Sequence, residues 1–147
     1  MLSIPILYLS RYINRNKADY YKLLQKVRSD NSWEEWILFN LDGIEKTSLF
    51  TIRQILGIKD LMLKHKNKLR DELPKIYSQD LLNNIFRHPY TKINFVEKDL
   101  SVSRKTASRY LDELIRIGIL SKHKIWKDNY YLNDDLFNLL SNVIDKS

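Results

Sequence analysis

Three features of the sequence predict a mainly α fold in two parts. Apolar residues recur at helical spacing through the first half of the chain. Between Asn94 and Ile117 a cap, a helix, a turn and a second helix follow one another. A glycine stop at Gly118 then leads into two stretches of strand-forming residues. The expected architecture is a helical segment over 1–75 followed by a winged helix-turn-helix domain over 76–147, which has a small β-hairpin wing and a C-terminal helix.

The elements follow in order. Ser3 and Pro5 stand where an N-cap and a first-turn proline belong, and Ile6, Leu9, Tyr12 and Ile13 continue the period to Arg15. Asn16 is placed to cap a second helix, with Asp19 in its first turn and Tyr20, Leu23, Leu24 and Val27 on its apolar face. The polar stretch 29–31 ends it. Ser32 and Glu35 have capping-box spacing, and Trp33, Trp36, Ile37, Leu41 and Ile44 begin one face of a long third helix reaching about Arg70. Gly43 and Gly57 each cost on the order of 1 kcal/mol inside a helix and mark sites for a kink or a break. Lys64, Lys66, Lys68 and Arg70 suit the negative end of that helix and read as a solvated terminus. Pro74 closes the segment, which puts the domain boundary within 71–77.

In the second part, Leu81, Leu82, Ile85 and Phe86 form the apolar face of a short helix that His88 and Pro89 stop. A short strand is expected over 90–93, then a helix over 95–100 capped by Asn94. After the turn at 101–103 the next helix covers 104–117. Val102, Ala107, Leu111 and Leu114 are spaced to pack on Phe95, Val96 and Leu100. The wing is read as strands over 119–126 and 130–132 around a turn at 127–129, with Trp126 and Tyr131 covering the core. A last helix over 134–144 presents Leu136, Leu139, Leu140 and Val143.

In a helix-turn-helix the first residues of the second helix face the major groove. Here they are Arg104, Lys105, Thr106, Ser108 and Arg109, with Ser103 as the N-cap. Arginine and lysine donate to guanine edges or phosphates, and the amide end of the helix favours a phosphate. Lys122, Lys124 and Lys127 of the wing, with His123, are candidates for the DNA backbone. Winged helices also serve as protein-interaction or dimerisation modules, so fold alone leaves both readings open.

Composition bounds the rest. The chain has 147 residues, is 44% hydrophobic and carries a formal charge of +7, a balance that suits polyanions or simply a solubilising surface. The absence of cysteine excludes disulfides, thiolate metal sites and cysteine nucleophiles, and suits the reducing cytoplasm. No run approaches the roughly 18 apolar residues of a membrane span, and no membrane partner is expected. His65, His88 and His123 are far apart in sequence, so no metal site is expected. No serine sits in a nucleophile-elbow glycine pattern, and three glycines provide no phosphate cradle.

The stretches PILYLSRYI at 5–13, YYKLLQKVR at 20–28 and WEEWILFNLDGI at 33–44 closely resemble the region of Fic-family proteins that follows their catalytic motif. Many bacterial members carry a winged-helix domain after it, so the resemblance covers essentially the whole chain. It implies transfer of a nucleotide monophosphate, usually AMP from ATP, to a protein hydroxyl. That activity uses the motif H-P-F-x-D/E-G-N-G-R, whose histidine is the base and whose glycines, asparagine and arginine hold the phosphates with Mg²⁺. The motif is missing: His88, Pro89 and Tyr90 resemble only its opening, and Thr91 to Phe95 supply neither the acid, the glycines nor the arginine. The chain thus looks like the non-catalytic C-terminal part of a Fic-type protein, cut from a longer one or left by a disrupted gene. ATP and Mg²⁺ are expected only for a full-length parent. Tyr8, Tyr12, Trp33 and Trp36 would lie behind the catalytic loop or form ordinary core. The partners expected are double-stranded DNA, with a client protein or a second copy of the chain as alternatives. Ile4, Ile6 and Leu7, without a catalytic half to cover them, would favour association.

Overall fold

The computed structural model describes the backbone of residues 8–145 and the side chains of 8–141. The readings made at Ser3, Ile4, Pro5, Ile6 and Leu7, and for the side chain of Val143, lie outside the described residues. The elements are α1 (Leu9–Arg15), α2 (Lys17–Asp30), α3 (Trp33–Glu72), α4 (Gln79–Arg87), β1 (Tyr90–Thr91), α5 (Ile93–Leu100), α6 (Arg104–Arg116), β2 (Ser121–Ile125), β3 (Asp128–Leu132) and α7 (Asp134–Asp145). The fold is mainly α with one small antiparallel sheet, of strand order β1-β3-β2, in a winged helix-turn-helix arrangement. Two compact units, Met1–Ile55 and Leu56–Ser147, divide inside α3, whereas the sequence boundary at 75/76 falls just past the end of that helix.

The first unit is held by aromatic side chains. Tyr20 and Trp36 lie 4.8 Å apart, and Tyr12 and Phe39 5.2 Å, in tilted geometries that suit ring quadrupoles. The Tyr12 hydroxyl donates to Asp42 at 2.6 Å; burial first, and this bond second, push its pKa up to about 12. Gly43 does not interrupt α3, which is continuous through both of its glycines. Its role is close packing: a Cβ there would lie 2.6 Å from a Tyr12 ring carbon. Asn16 stands at the N-cap of α2, but its amide donates back to the Tyr12 carbonyl and does not cap. Glu35 takes the Lys26 ammonium at 2.7 Å. Of the aromatics assigned a supporting role, Tyr12 and Trp36 are half-buried, while Tyr8 and Trp33 are exposed.

The second unit holds the core. Leu69 and Leu73 of the α3 end, Leu81, Leu82 and Ile85 of α4, Val96 of α5, and Ala107, Leu111 and Leu114 of α6 are all buried. Tyr131 joins them from β3 and closes the sheet onto the helices. Ser78 caps α4 through Leu81 N–H, and Ser103 caps α6 through Thr106 N–H. Ser101 takes the left-handed conformation that ends α5, and Gly118, at φ +68, ends α6 as expected. Buried Thr91 donates to the Asn84 side chain, which donates to Asp99. Asn133 caps α7 through Leu136 N–H and donates to the Ile85 carbonyl.

Three local expectations are corrected. Asn94 caps nothing, because α5 begins two residues earlier, at Ile93, with Lys92 at its N-cap. Phe95, expected in the core with Val96 and Leu100, is at the surface near Tyr90, because the inward face of α5 carries its neighbour Val96, which is buried as expected. Trp126 does not cover the core; it stands in the two-residue turn of the hairpin, and Tyr131 alone fills that role. The register explains this: Lys124 pairs with Asn129 and Ile125 with Asp128, so the expected turn residues Asp128 and Asn129 are part of the ladder.

His65 is buried at 2% exposure and ties α3 to α7 through Nε2, 3.1 Å from an Asp135 carboxylate oxygen. Its ring stands edge-on to Phe86, and its Nδ1 has no hydrogen-bond partner. Burial lowers its pKa; the Asp135 bond opposes this, while Lys64 and Lys68 add to it. A histidine of lowered value takes its proton more readily in the unfolded chain. Its contribution to stability is therefore complete above about pH 6.5 and is lost as pH falls through the lower folded value. Urea midpoints should fall from pH 7.5 to 5.5, and His65→Gln should flatten that fall; parallel profiles would contradict the assignment.

Candidate nucleic-acid interface

The start of α6 is where the sequence predicts a DNA-reading surface, and local forces fix its shape. Ser103 Oγ accepts from Thr106 N–H at 3.3 Å and lies 3.0 Å from the Thr106 hydroxyl, which sets the entry of the helix. On the opposite face Ala107, Leu111 and Leu114 are fully buried, so helical periodicity leaves Arg104, Lys105 and Arg109 exposed. Ser108 is half-buried between them. No acidic residue occupies the first turn, so the amide end of the helix keeps its positive field.

A shallow groove runs along these residues. It is lined by Ile93 and by Arg104, Lys105, Thr106, Ser108 and Arg109, and at its far end by Asp112 and Glu113. The carboxylate of Glu113 is taken by Arg116 at 2.8 Å. The Arg109 guanidinium lies 5.7 Å from the Tyr110 ring.

The wing approaches this helix from one side. A second depression is lined by Arg104 together with Lys92, Ile93 and Asn94 of the α5 start and Lys127, Asp128 and Asn129 of the wing. Lys127 is thus brought beside Arg104. Lys122 and Lys124 are exposed and share the hairpin face of their cross-strand partners Tyr131 and Asn129. The Lys122 ammonium lies 5.8 Å from the Tyr131 ring. His123 pairs instead with Tyr130 and bonds the Ser121 hydroxyl at 2.9 Å.

Lys92 is the residue that sequence reasoning missed. Its ammonium is 2.8 Å from Asp128 and 4.1 Å from the centre of the Tyr130 ring, so it braces the wing against α5. These contacts, the Asp128 bond foremost, hold its pKa above the usual lysine value. Only its place just before the helix-turn-helix hinted at this. Asn94, which caps nothing, is exposed beside it.

Among the described residues no three His, Asp or Glu side chains gather where a metal ion could sit. Gly43 packs on Tyr12, Gly57 on Leu139, and Gly118 ends α6, so no glycine is left for a phosphate loop. Among the described residues no helix is long and apolar enough to cross a membrane. Compared with known families, residues 61–136 match the one described as "Protein adenylyltransferase SoFic-like, C-terminal domain".

Proposed function

This chain belongs to the SoFic-like protein adenylyltransferase family, whose C-terminal domain it matches over residues 61–136, and on that premise we propose that the winged helix binds double-stranded DNA as the regulatory part of a Fic-type protein. The chain contributes no catalytic group in this reading. One observation carries it: Arg104, Lys105 and Arg109 line one groove along the first half of α6, and Lys127 of the wing shares an adjoining depression with Arg104. Four cations along the first turns of a helix and the neighbouring wing suit a phosphate backbone, and the exposed guanidinium groups suit guanine edges. Ser103, Thr106 and Ser108 add neutral donors, and Lys122 and Lys124 extend the backbone contacts along the wing.

Anisotropy titrations with duplex DNA test this. Arg104→Ala and Arg109→Ala should each weaken binding roughly ten-fold, the loss of one good base or phosphate contact. Affinities unchanged by both substitutions would sink the proposal.

A second reading is favoured by Asp112 and Glu113, which border the same groove as the cations. Mixed charge suits a protein surface and repels phosphates, so the groove would then receive a client protein or a second copy of this chain. Sedimentation would show a mass that rises with concentration, and duplex DNA would bind no better than to any basic protein.

A further inference from the structure

The wing ends in a residue that its own backbone disfavours. Trp126 is the first of the two residues between β2 and β3, and its φ is +57. Glycine or asparagine usually stands at such a position, because a bulky L side chain there is strained. The ring gains little from the fold in return, being 93% exposed, with its neighbour Ile125 at 51%. Strain combined with exposure points outward, to a ligand of the ring.

The surroundings say which ligand. Lys124 and Lys127 flank the ring in the chain and are exposed, and Lys127 shares a depression with Arg104 at the start of α6. The hairpin is fixed near its base by buried Tyr131, and nearer its tip by the Lys92 contacts to Asp128 and Tyr130. An apolar plane is therefore held out on a braced hairpin, with an exposed lysine two residues before it and another just after it in the chain. That combination suits stacked bases bordered by phosphates better than an apolar protein surface.

We propose that the Trp126 indole is a wedge into duplex DNA. It enters the minor groove beside the major-groove site of α6 and stacks on a partly opened base step, with Lys124 and Lys127 on the adjoining phosphates. This rests on the reading of α6 as a DNA-binding helix.

The test is Trp126→Asn, a substitution that suits the left-handed backbone and so leaves the turn intact. Its thermal midpoint should equal or exceed that of the unaltered protein, while its affinity for duplex DNA falls roughly ten-fold. The salt dependence should not change, because no charge is lost. Trp126→Phe should keep part of the affinity. The unaltered protein should also prefer a duplex with a central mismatch, which opens at lower cost, and Trp126→Asn should lose that preference. If Trp126→Asn binds like the unaltered protein while Arg104→Ala is weakened, the wedge is overturned and the DNA reading stands. If the unaltered protein binds no duplex, both fall. Loss of a protein contact with DNA binding intact, or a lowered thermal midpoint, also overturns the wedge and gives the ring a different role.

Discussion

Raising salt from about 50 to about 200 mM is expected to weaken duplex DNA binding by roughly three orders of magnitude, if all six proposed cations neutralise phosphates. Those six are Arg104, Lys105 and Arg109 on α6 and Lys122, Lys124 and Lys127 on the wing. Each phosphate neutralised releases counterions, so the slope of log affinity against log salt counts the contacts, about −0.9 for each. The geometry makes the count informative. Arg104, Lys105, Arg109 and Lys127 lie around the two adjoining depressions at the start of α6, whereas Lys122 and Lys124 share the hairpin face that carries Tyr131. A slope near −5 enlists the whole wing, and a slope near −3 to −4 leaves Lys122 and Lys124 off the DNA. Neutral contacts from Ser103, Thr106 and Ser108 do not alter it. A flat response would remove the electrostatic basis of the proposal.

Leu111→Ala should destabilise the winged-helix unit by about 2–5 kcal/mol. The side chain is fully buried on the inner face of α6, among residues drawn from α3, α4, α5 and β3. Removing it forfeits both the transfer of its methyl groups from water and their packing contacts, and the surrounding helices relax only in part. Against a total of about 5–15 kcal/mol for a small domain, that is a large share. The urea midpoint should fall with little change in slope, while Arg104→Ala, on the exposed face of the same helix, should stay within about 0.5 kcal/mol of the unaltered protein. Equal midpoints for the two variants would mean that α6 does not present its faces as described. The pair also separates folding from recognition, since Leu111→Ala acts on stability and Arg104→Ala on binding.

Much of the fold was legible because its signals are local. The serine caps at Ser78 and Ser103 satisfy donors three residues ahead, and Gly118 occupies a left-handed position that only a few residue types tolerate. The period of Ala107, Leu111 and Leu114 names the buried face of α6, and by elimination its exposed cations. Misreadings arose where two local signals competed. Asn94 is a good cap residue, yet α5 starts at Ile93, and Asp128 with Asn129 looks like a turn but pairs in the ladder. Propensity favoured the wrong residue in both cases because it carries no information about which side chain the core must receive.

The sequence by itself determined the helices, the order of the elements and the charged first turn of α6. Each of these depends on residues within a turn or two of one another. Only the tertiary structure decided the hairpin register, which buries Tyr131 and sends Trp126 to the tip. It alone paired His65 with Asp135 and Lys92 with Asp128, and set Lys127 beside Arg104. The physical reason is that a one-residue shift of a strand exchanges its faces at little local cost, so the choice between registers is made by the packing of the whole domain.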